Sequence, residues 1–173
     1  IEILTDQRGL RYLKNNKNIK IRKIASSRIF SKNIIYIFVG IIKVFLSTIS
    51  SFVLLTKSKP KLIVGMGGYA SFSVCLAAYF LKIPIIIYEN NLVIGRANKL
   101  LLPLVKKILV STNSITGIKK KYNFKVSLTG FLLRNKIFNL KRNNTEIDQN
   151  DLSILIMGGS QSAKIFGEEI PKI

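Results

Sequence analysis

The segment Lys61-Leu-Ile-Val-Gly-Met-Gly-Gly-Tyr-Ala-Ser71 constrains this chain more than any other. A short apolar run, Leu62 to Val64, breaks into the glycines Gly65, Gly67 and Gly68, and a small-residue apolar stretch, Val74 to Leu81, then reads as a helix. Strand, glycine turn and helix in succession gather backbone N–H groups at a helix N-terminus, where they can converge on an anion. Glycine suits the turn because a Cβ would bar both positive φ angles and the close approach of a phosphate. The same pattern also serves as a plain tight turn, so the rest of the chain has to decide between the two.

Downstream, the pattern repeats. Ile83-Pro-Ile-Ile-Ile-Tyr88 is a continuous apolar run, the mark of a strand buried on both faces of a parallel sheet. It opens into Glu89-Asn-Asn91, and polar residues at the C-terminal ends of parallel strands are where ligands sit in open α/β sheets. A helix start follows from Ile94, then short strands over 107–110 and 125–129, the last ending at Gly130. Upstream, Glu2 to Thr5 reads as a strand, Asp6 as the cap of a helix over 8–14, and 19–24 as a further short strand. This alternation predicts an α/β fold with a parallel, Rossmann-like sheet and helices on both faces. Residues 1–135 form the first domain on this reading and 136–150 a polar linker. Residues 151–173 open a second α/β domain, with the strand Leu152 to Met157 and a second glycine turn, Gly158-Gly-Ser-Gln-Ser-Ala163.

The most apolar stretch, Ile34 to Thr56, carries a single charge, Lys43. At about 1.5 Å per residue it is long enough to cross a hydrocarbon layer of about 30 Å. Lys43 near its middle, a run of Ser and Thr at positions 47, 48, 50 and 51, and lysines at both ends fit better a helix lying on the domain and partly sunk in a membrane surface. An interfacial or core helix is the favoured reading and a true membrane span the other, and Pro60 ends the helix in either case.

Composition removes several function classes. The chain has no histidine, which excludes Ser-His-Asp, Cys-His and His-metal chemistry, and no metal or cofactor is expected. Its one cysteine, Cys75, lies in an apolar helix, reads as a buried small hydrophobe and fits a reducing cytoplasm. Lys and Arg total 28 against 8 acidic residues, a net charge of +20 within 173 residues, so anionic lipid or a phosphorylated substrate would be attracted. The sequence holds no aromatic-interleaved basic ribbon, zinc-ligand spacing or DNA-reading helix, so nucleic acid is not an expected partner. Ile1-Glu2-Ile3-Leu4 reads as a strand already under way, and the chain as a stretch whose natural beginning lies upstream.

Taken together, strand-GMGGY-A-S, strand-YENN-x-x-x-G-x-x-N, TG-x-x-x-R and strand-GGSQSAK resemble, in this order, the MurG family of bacterial glycosyltransferases. The resemblance implies the GT-B fold, two Rossmann-like domains facing a cleft. The amino-terminal one takes a lipid-linked acceptor at the membrane and the carboxy-terminal one holds most of a UDP-sugar. The implied reaction moves N-acetylglucosamine from UDP-N-acetylglucosamine to undecaprenyl-pyrophosphoryl-N-acetylmuramoyl-pentapeptide in peptidoglycan biosynthesis. It would take place at the cytoplasmic face of the inner membrane, against an anionic lipid surface.

Carried over by motif, Gly67, Gly68 and Tyr69 would cradle the acceptor pyrophosphate. Glu89, matching the Glu of H-E-Q-N, would be the catalytic group that shapes or polarises the cleft, and Asn91 would hydrogen-bond the donor sugar. Arg134, matching the last residue of G-N-P-V-R, would contact UDP through a bidentate fork, and Ser160 would bond the donor. Read singly, Asn91 is equally a turn residue, Arg134 a solvated charge and Ser160 a helix N-cap.

The departures from the family pattern are specific. Tyr88 replaces the His of H-E-Q-N and Asn90 its Gln, Phe131 and Leu132 replace the Asn-Pro before the arginine, and Ser162 replaces a Gly. The family's first loop, G-G-T-G-G-H, belongs before Ile1, so the stretch alone is not expected to turn over. Two alternatives stand beside this reading: a related GT-B transferase acting on another membrane lipid such as diacylglycerol, and a non-catalytic remnant that only binds membranes.

Overall fold

The computed structural model describes residues 1–13, 19–24 and 34–133, all within one compact unit, Ile1–Leu133. The expected linker and second domain, with Arg134 and Ser160, fall outside the described residues.

The chain begins with strand β1 (Glu2–Thr5), helix α1 (Gln7–Leu13) and strand β2 (Lys20–Lys23), with β1 and β2 paired in parallel from Glu2↔Lys20 to Thr5↔Lys23. Asp6 caps α1 as its sequence position predicts: Oδ1 accepts the Gly9 N–H at 3.2 Å, the third helical amide, which has no partner inside the helix. Arg22 pairs with Glu2 across the two strands.

Helix α2 (Ile34–Ser58) runs two residues past its expected end. It stops where Lys59 takes a left-handed φ of 45°, just ahead of Pro60. Its serines and threonines do not interrupt it. Ser51 Oγ donates to Ser47 O at 2.7 Å and Thr48 Oγ1 to Val44 O at 2.8 Å, so these hydroxyls are satisfied one turn back inside the helix. Gly40, Val44, Ser47, Ser51 and Leu55, spaced three or four apart, form a narrow buried seam, and α2 packs on the next helix.

Four parallel strands follow in sequential order: β3 (Ile63–Gly65), β4 (Ile85–Glu89), β5 (Lys107–Val110) and β6 (Val126–Leu128). The register pairs Val64 with Ile86, Ile87 with Ile108 and Leu109 with Ser127. Helix α3 (Gly68–Phe80) joins β3 to β4, and α4 (Arg96–Leu101) lies between β4 and β5. α3 starts six residues ahead of its expected first residue, Val74, because the glycine turn leads straight into the helix. Burial follows the apolar patterning: Ile85, Ile87, Ile108 and Val110 from the strands meet Cys75, Ala77 and Ala78 of α3 and Leu101 and Leu102 around the end of α4. The small residues of α3 allow it close to the sheet. Because the strands are parallel, the chain leaves β3, β4, β5 and β6 at one common edge, which carries every described candidate residue.

Candidate functional site

At that edge the glycine turn divides its work among three residues. Gly65 is a packing glycine, since a Cβ there would sit 2.7 Å from Ser71 Oγ and 2.9 Å from Cys75 Sγ. Gly67 and Gly68 are conformational: their φ angles of 80° and 78° lie in the left-handed region that only glycine adopts at little cost. A Cβ on Gly68 would meet nothing within 4 Å, so its outer side is open. The N-terminus of α3 bears no side-chain cap. Two consecutive left-handed glycines ahead of an uncapped helix of 13 residues make a concave run of main chain with the positive end of the helix dipole behind it.

Next along the edge, Glu89 ends β4 and is 4% exposed. Its Oε1 accepts the Asn91 N–H at 3.1 Å and Asn91 Nδ2 at 2.8 Å. Its Oε2 accepts the Gly95 N–H at 2.8 Å and Asn98 Nδ2 at 3.0 Å. An ionised carboxylate offers about four lone-pair sites, and these four bonds fill them. The sequence marks Glu89 as a catalytic group that shapes or polarises the cleft. In the structure it holds the turn after β4 and the entry to α4, each oxygen accepting two hydrogen bonds. It is also the sole Asp or Glu between residues 34 and 133, so the domain's surface there is positive or neutral and its one carboxylate lies inside.

Asn91 is exposed, with one side-chain N–H committed to Glu89. Its amide is thereby held in a fixed direction at the rim. The turn that carries it is tied down twice more. Ser111 N–H donates to Glu89 O at 3.2 Å and Ser111 Oγ to Asn90 O at 3.1 Å. Across the bridge Val93↔Thr116, the Ile94 N–H donates to Thr116 O at 3.0 Å and the Thr116 N–H to Leu92 O at 2.8 Å.

Two residues of this edge go unassigned by motif reading. Asn98, 2% exposed on α4, donates through Nδ2 to Glu89 Oε2 and, at 3.2 Å, to Tyr88 O. The same nitrogen is 3.5 Å from where a Gly67 Cβ would be, so Asn98 lies beside the glycine turn as well as the Glu89 turn. Its Oδ1 is buried and without a partner among the described residues. The signal was present in E-N-N-x-x-x-G-x-x-N, whose last residue it is. Tyr88 is the second: its ring is buried while its hydroxyl reaches the segment after β6. Among the described residues no cluster of His, Cys, Asp and Glu could hold a metal ion.

A parallel α/β sheet whose exit edge combines a two-glycine helix entry with a carboxylate-ordered asparagine turn is a Rossmann-like domain. The family model for the Glycosyltransferase family 28 N-terminal domain matches residues 1–110, and the chain belongs to that family. A UDP-N-acetylglucosamine--N-acetylmuramyl-(pentapeptide) pyrophosphoryl-undecaprenol N-acetylglucosamine transferase of Pelagibacter ubique is 34% identical over 171 residues, 97% of this chain and 46% of that protein. A protein of the same name from Rickettsia canadensis is 37% identical over 135 residues, 78% of this chain and 38% of its own length. The crystal structure of Acinetobacter baumannii MurG superposes with a TM-score of 0.63 at 25% identity, covering 98% of this chain and 44% of that one. The chain thus spans less than half the length of these relatives.

Proposed function

We propose that the chain is the acceptor-side portion of a glycosyltransferase of peptidoglycan biosynthesis. The intact enzyme would transfer N-acetylglucosamine from UDP-N-acetylglucosamine to undecaprenyl-pyrophosphoryl-N-acetylmuramoyl-pentapeptide. The observation that carries this reading is the turn Gly67–Gly68, open on its outer side and leading into an uncapped helix at the edge where Glu89 fixes Asn91. Amides around Gly67, Gly68 and Tyr69 bind the acceptor's pyrophosphate, whose charge the helix dipole favours. Asn91 orients the donor sugar. Glu89 acts by positioning, its charge and four hydrogen bonds keeping the asparagine turn in shape. Arg134 and Ser160 join the donor side by sequence position, the arginine stabilising the diphosphate as it leaves.

The membrane contact belongs to α2. Its buried seam faces α3, while about eleven large apolar side chains between Ile35 and Val53 are exposed. Lys57, Lys59 and Lys61 follow at its end. By length and composition α2 could cross a bilayer. Its packing on α3 favours instead an in-plane position at the anionic cytoplasmic leaflet, where a polyprenyl acceptor would be presented.

A transfer assay tests the reaction. The intact protein that carries this chain is given labelled UDP-N-acetylglucosamine and either the lipid-linked muramoyl acceptor or diacylglycerol, in vesicles. Label on the muramoyl lipid alone is expected. Label on diacylglycerol would favour the other GT-B transferases, and binding to vesicles without transfer to either lipid would favour a non-catalytic remnant.

A further inference from the structure

Two positions at which this chain departs from the motifs it resembles touch each other. Tyr88 stands where H-E-Q-N has histidine, and Leu132 stands where G-N-P-V-R has proline. The Leu132 N–H donates to Tyr88 Oη at 3.3 Å. The hydroxyl's own proton faces two acceptors, Gly130 O at 3.1 Å and Asn90 Oδ1 at 3.2 Å. One buried ring on β4 therefore reaches the segment that follows β6 and the turn that follows β4.

The chemistry of the two departures is complementary. Proline at position 132 would have no N–H to satisfy and would hold its own φ near about −65°. Leucine frees that angle and adds a donor that needs an acceptor. An imidazole at position 88 ends well short of a phenol oxygen on the same backbone and could not supply one from there. The segment has further need of a tether, because Phe131, Leu132 and Leu133 are all exposed and Gly130 has a φ of 77°. Apart from the Tyr88 hydroxyl, little on the apolar surface of that segment would hold it to the sheet.

We propose that Tyr88 is a positioning residue: its hydroxyl takes over the stiffening that a proline at 132 would give, and clamps Gly130–Leu132 to the end of β4. The exchange of both residues is then one compensated change and not two independent losses. Through Asn90 Oδ1 the same hydroxyl touches the turn that carries Asn91. Its bearing on donor binding rests on the transferase reading above, whereas the clamp itself does not.

The test uses the intact protein and the variants Tyr88→Phe, Tyr88→His, Leu132→Pro and their combinations. In Tyr88→Phe the Leu132 amide should exchange with solvent about tenfold faster or more, while amides inside β4 keep their protection. The KM for UDP-N-acetylglucosamine should rise about fivefold, the equivalent of one ordinary hydrogen bond, with kcat within about twofold. Tyr88→His should lose as much by itself and regain most of it when Leu132→Pro is added. Melting temperatures of the same set read the coupling should any single variant fold poorly. Unchanged exchange at Leu132, or single effects that simply multiply in the double variants, would overturn the proposal. Coupled exchange in a protein that transfers no sugar would retain the clamp and reject the transferase reading.

Discussion

Asn98 Nδ2 lies 3.0 Å from Glu89 Oε2 and 3.2 Å from Tyr88 O, so a single buried amide joins α4 to the last two residues of β4. Both partners are acceptors, which forces the amide's orientation: reversed, its own oxygen would face a carboxylate. The arrangement leaves Asn98 Oδ1 without a partner among the described residues, a cost accepted for holding Glu89 in place.

Replacing Asn98 should therefore be felt as a loss of order at Asn91 as well as a loss of stability. Asn98→Ala removes two donors, one of them to a charge, and should cost about 2–4 kcal/mol by chemical denaturation. Asn98→Asp should be worse at neutral pH. The neighbouring negative charge raises the pKa of the introduced carboxyl above its unfolded value, so the folded state favours the protonated form. That variant is then relatively most stable below the ordinary carboxylate range and loses stability as pH rises through the raised value. Denaturation midpoints flat from pH 4 to pH 8 in Asn98→Asp would contradict the assigned contact.

Gly65 and Gly68, three residues apart, should separate folding from binding. Gly65→Ala forces a Cβ to within 2.7 Å of Ser71 Oγ and 2.9 Å of Cys75 Sγ, and should destabilise the domain by about 1–3 kcal/mol through overpacking. Gly68→Ala has open space around its Cβ and bears only the left-handed backbone cost of about 1–2 kcal/mol. It should nonetheless weaken binding of the pyrophosphoryl acceptor at least tenfold, because the new methyl group stands on the open side of the turn. Equal acceptor affinity in Gly68→Ala and the parent protein would remove the turn from the site.

The sheet was legible because its strands are short apolar runs punctuated by turn residues, as Ile85 to Ile87 is by Pro84 before it and Asn90 and Asn91 after it. Asp6 was legible as a cap for the same local reason. Partnerships made across the fold were not. Glu89 reads from sequence as a polar residue at a strand end and, by resemblance, as a group that shapes or polarises the cleft; only the turn that brings Gly95 and Asn98 back to it reveals its four hydrogen bonds. Lys125 reads from sequence as the first residue of a strand over 125–129, whereas it ends a 3-10 turn just ahead of β6. In the fold its Nζ donates to the carbonyls of Leu102, Pro103 and Val105 at 3.1, 3.2 and 2.7 Å, closing the open end of α4. The 3-10 turn Lys120–Lys125 that delivers it carries no hydrophobic period by which it could be foreseen.

Cys75 should make the domain sensitive to alkali. Burial raises its thiol pKa from 9.0 to about 11, against a smaller opposing effect of its contact with Ser71. Between those values the unfolded chain has lost the thiol proton and the folded one keeps it, so the folded state binds more protons and stability falls as pH rises. The contribution is fully present below pH 9 and gone above about 11, a change on the order of 2–3 kcal/mol. Cys75→Ala should have a shallower decline over that window, whatever its stability at pH 7. An identical slope in both proteins would show that the thiol does not titrate differently on folding.

Attachment to a bilayer should depend more on the apolar surface of α2 than on charge. Each large side chain moved fully out of water gains about 1.5–3 kcal/mol, whereas a lysine near an anionic surface gains about 1 kcal/mol and is screened by salt. With about eleven such side chains exposed on α2, partial immersion outweighs Lys57, Lys59 and Lys61 together. Raising salt to about 0.5 M, where charges are screened within several ångströms, should thus lower but not abolish binding to vesicles containing anionic lipid. Phe45→Glu combined with Ile49→Glu lies on the outer face, at 63% and 47% exposure, away from the buried seam of Val44, Ser47 and Ser51. This pair should leave the melting temperature within a few degrees of the parent and reduce vesicle affinity about tenfold or more. Substituting glutamine for the three lysines should matter at low salt and little at high salt. Should the glutamate pair bind vesicles as well as the parent does, α2 would not be the membrane contact, and its exposed apolar face would need another occupant.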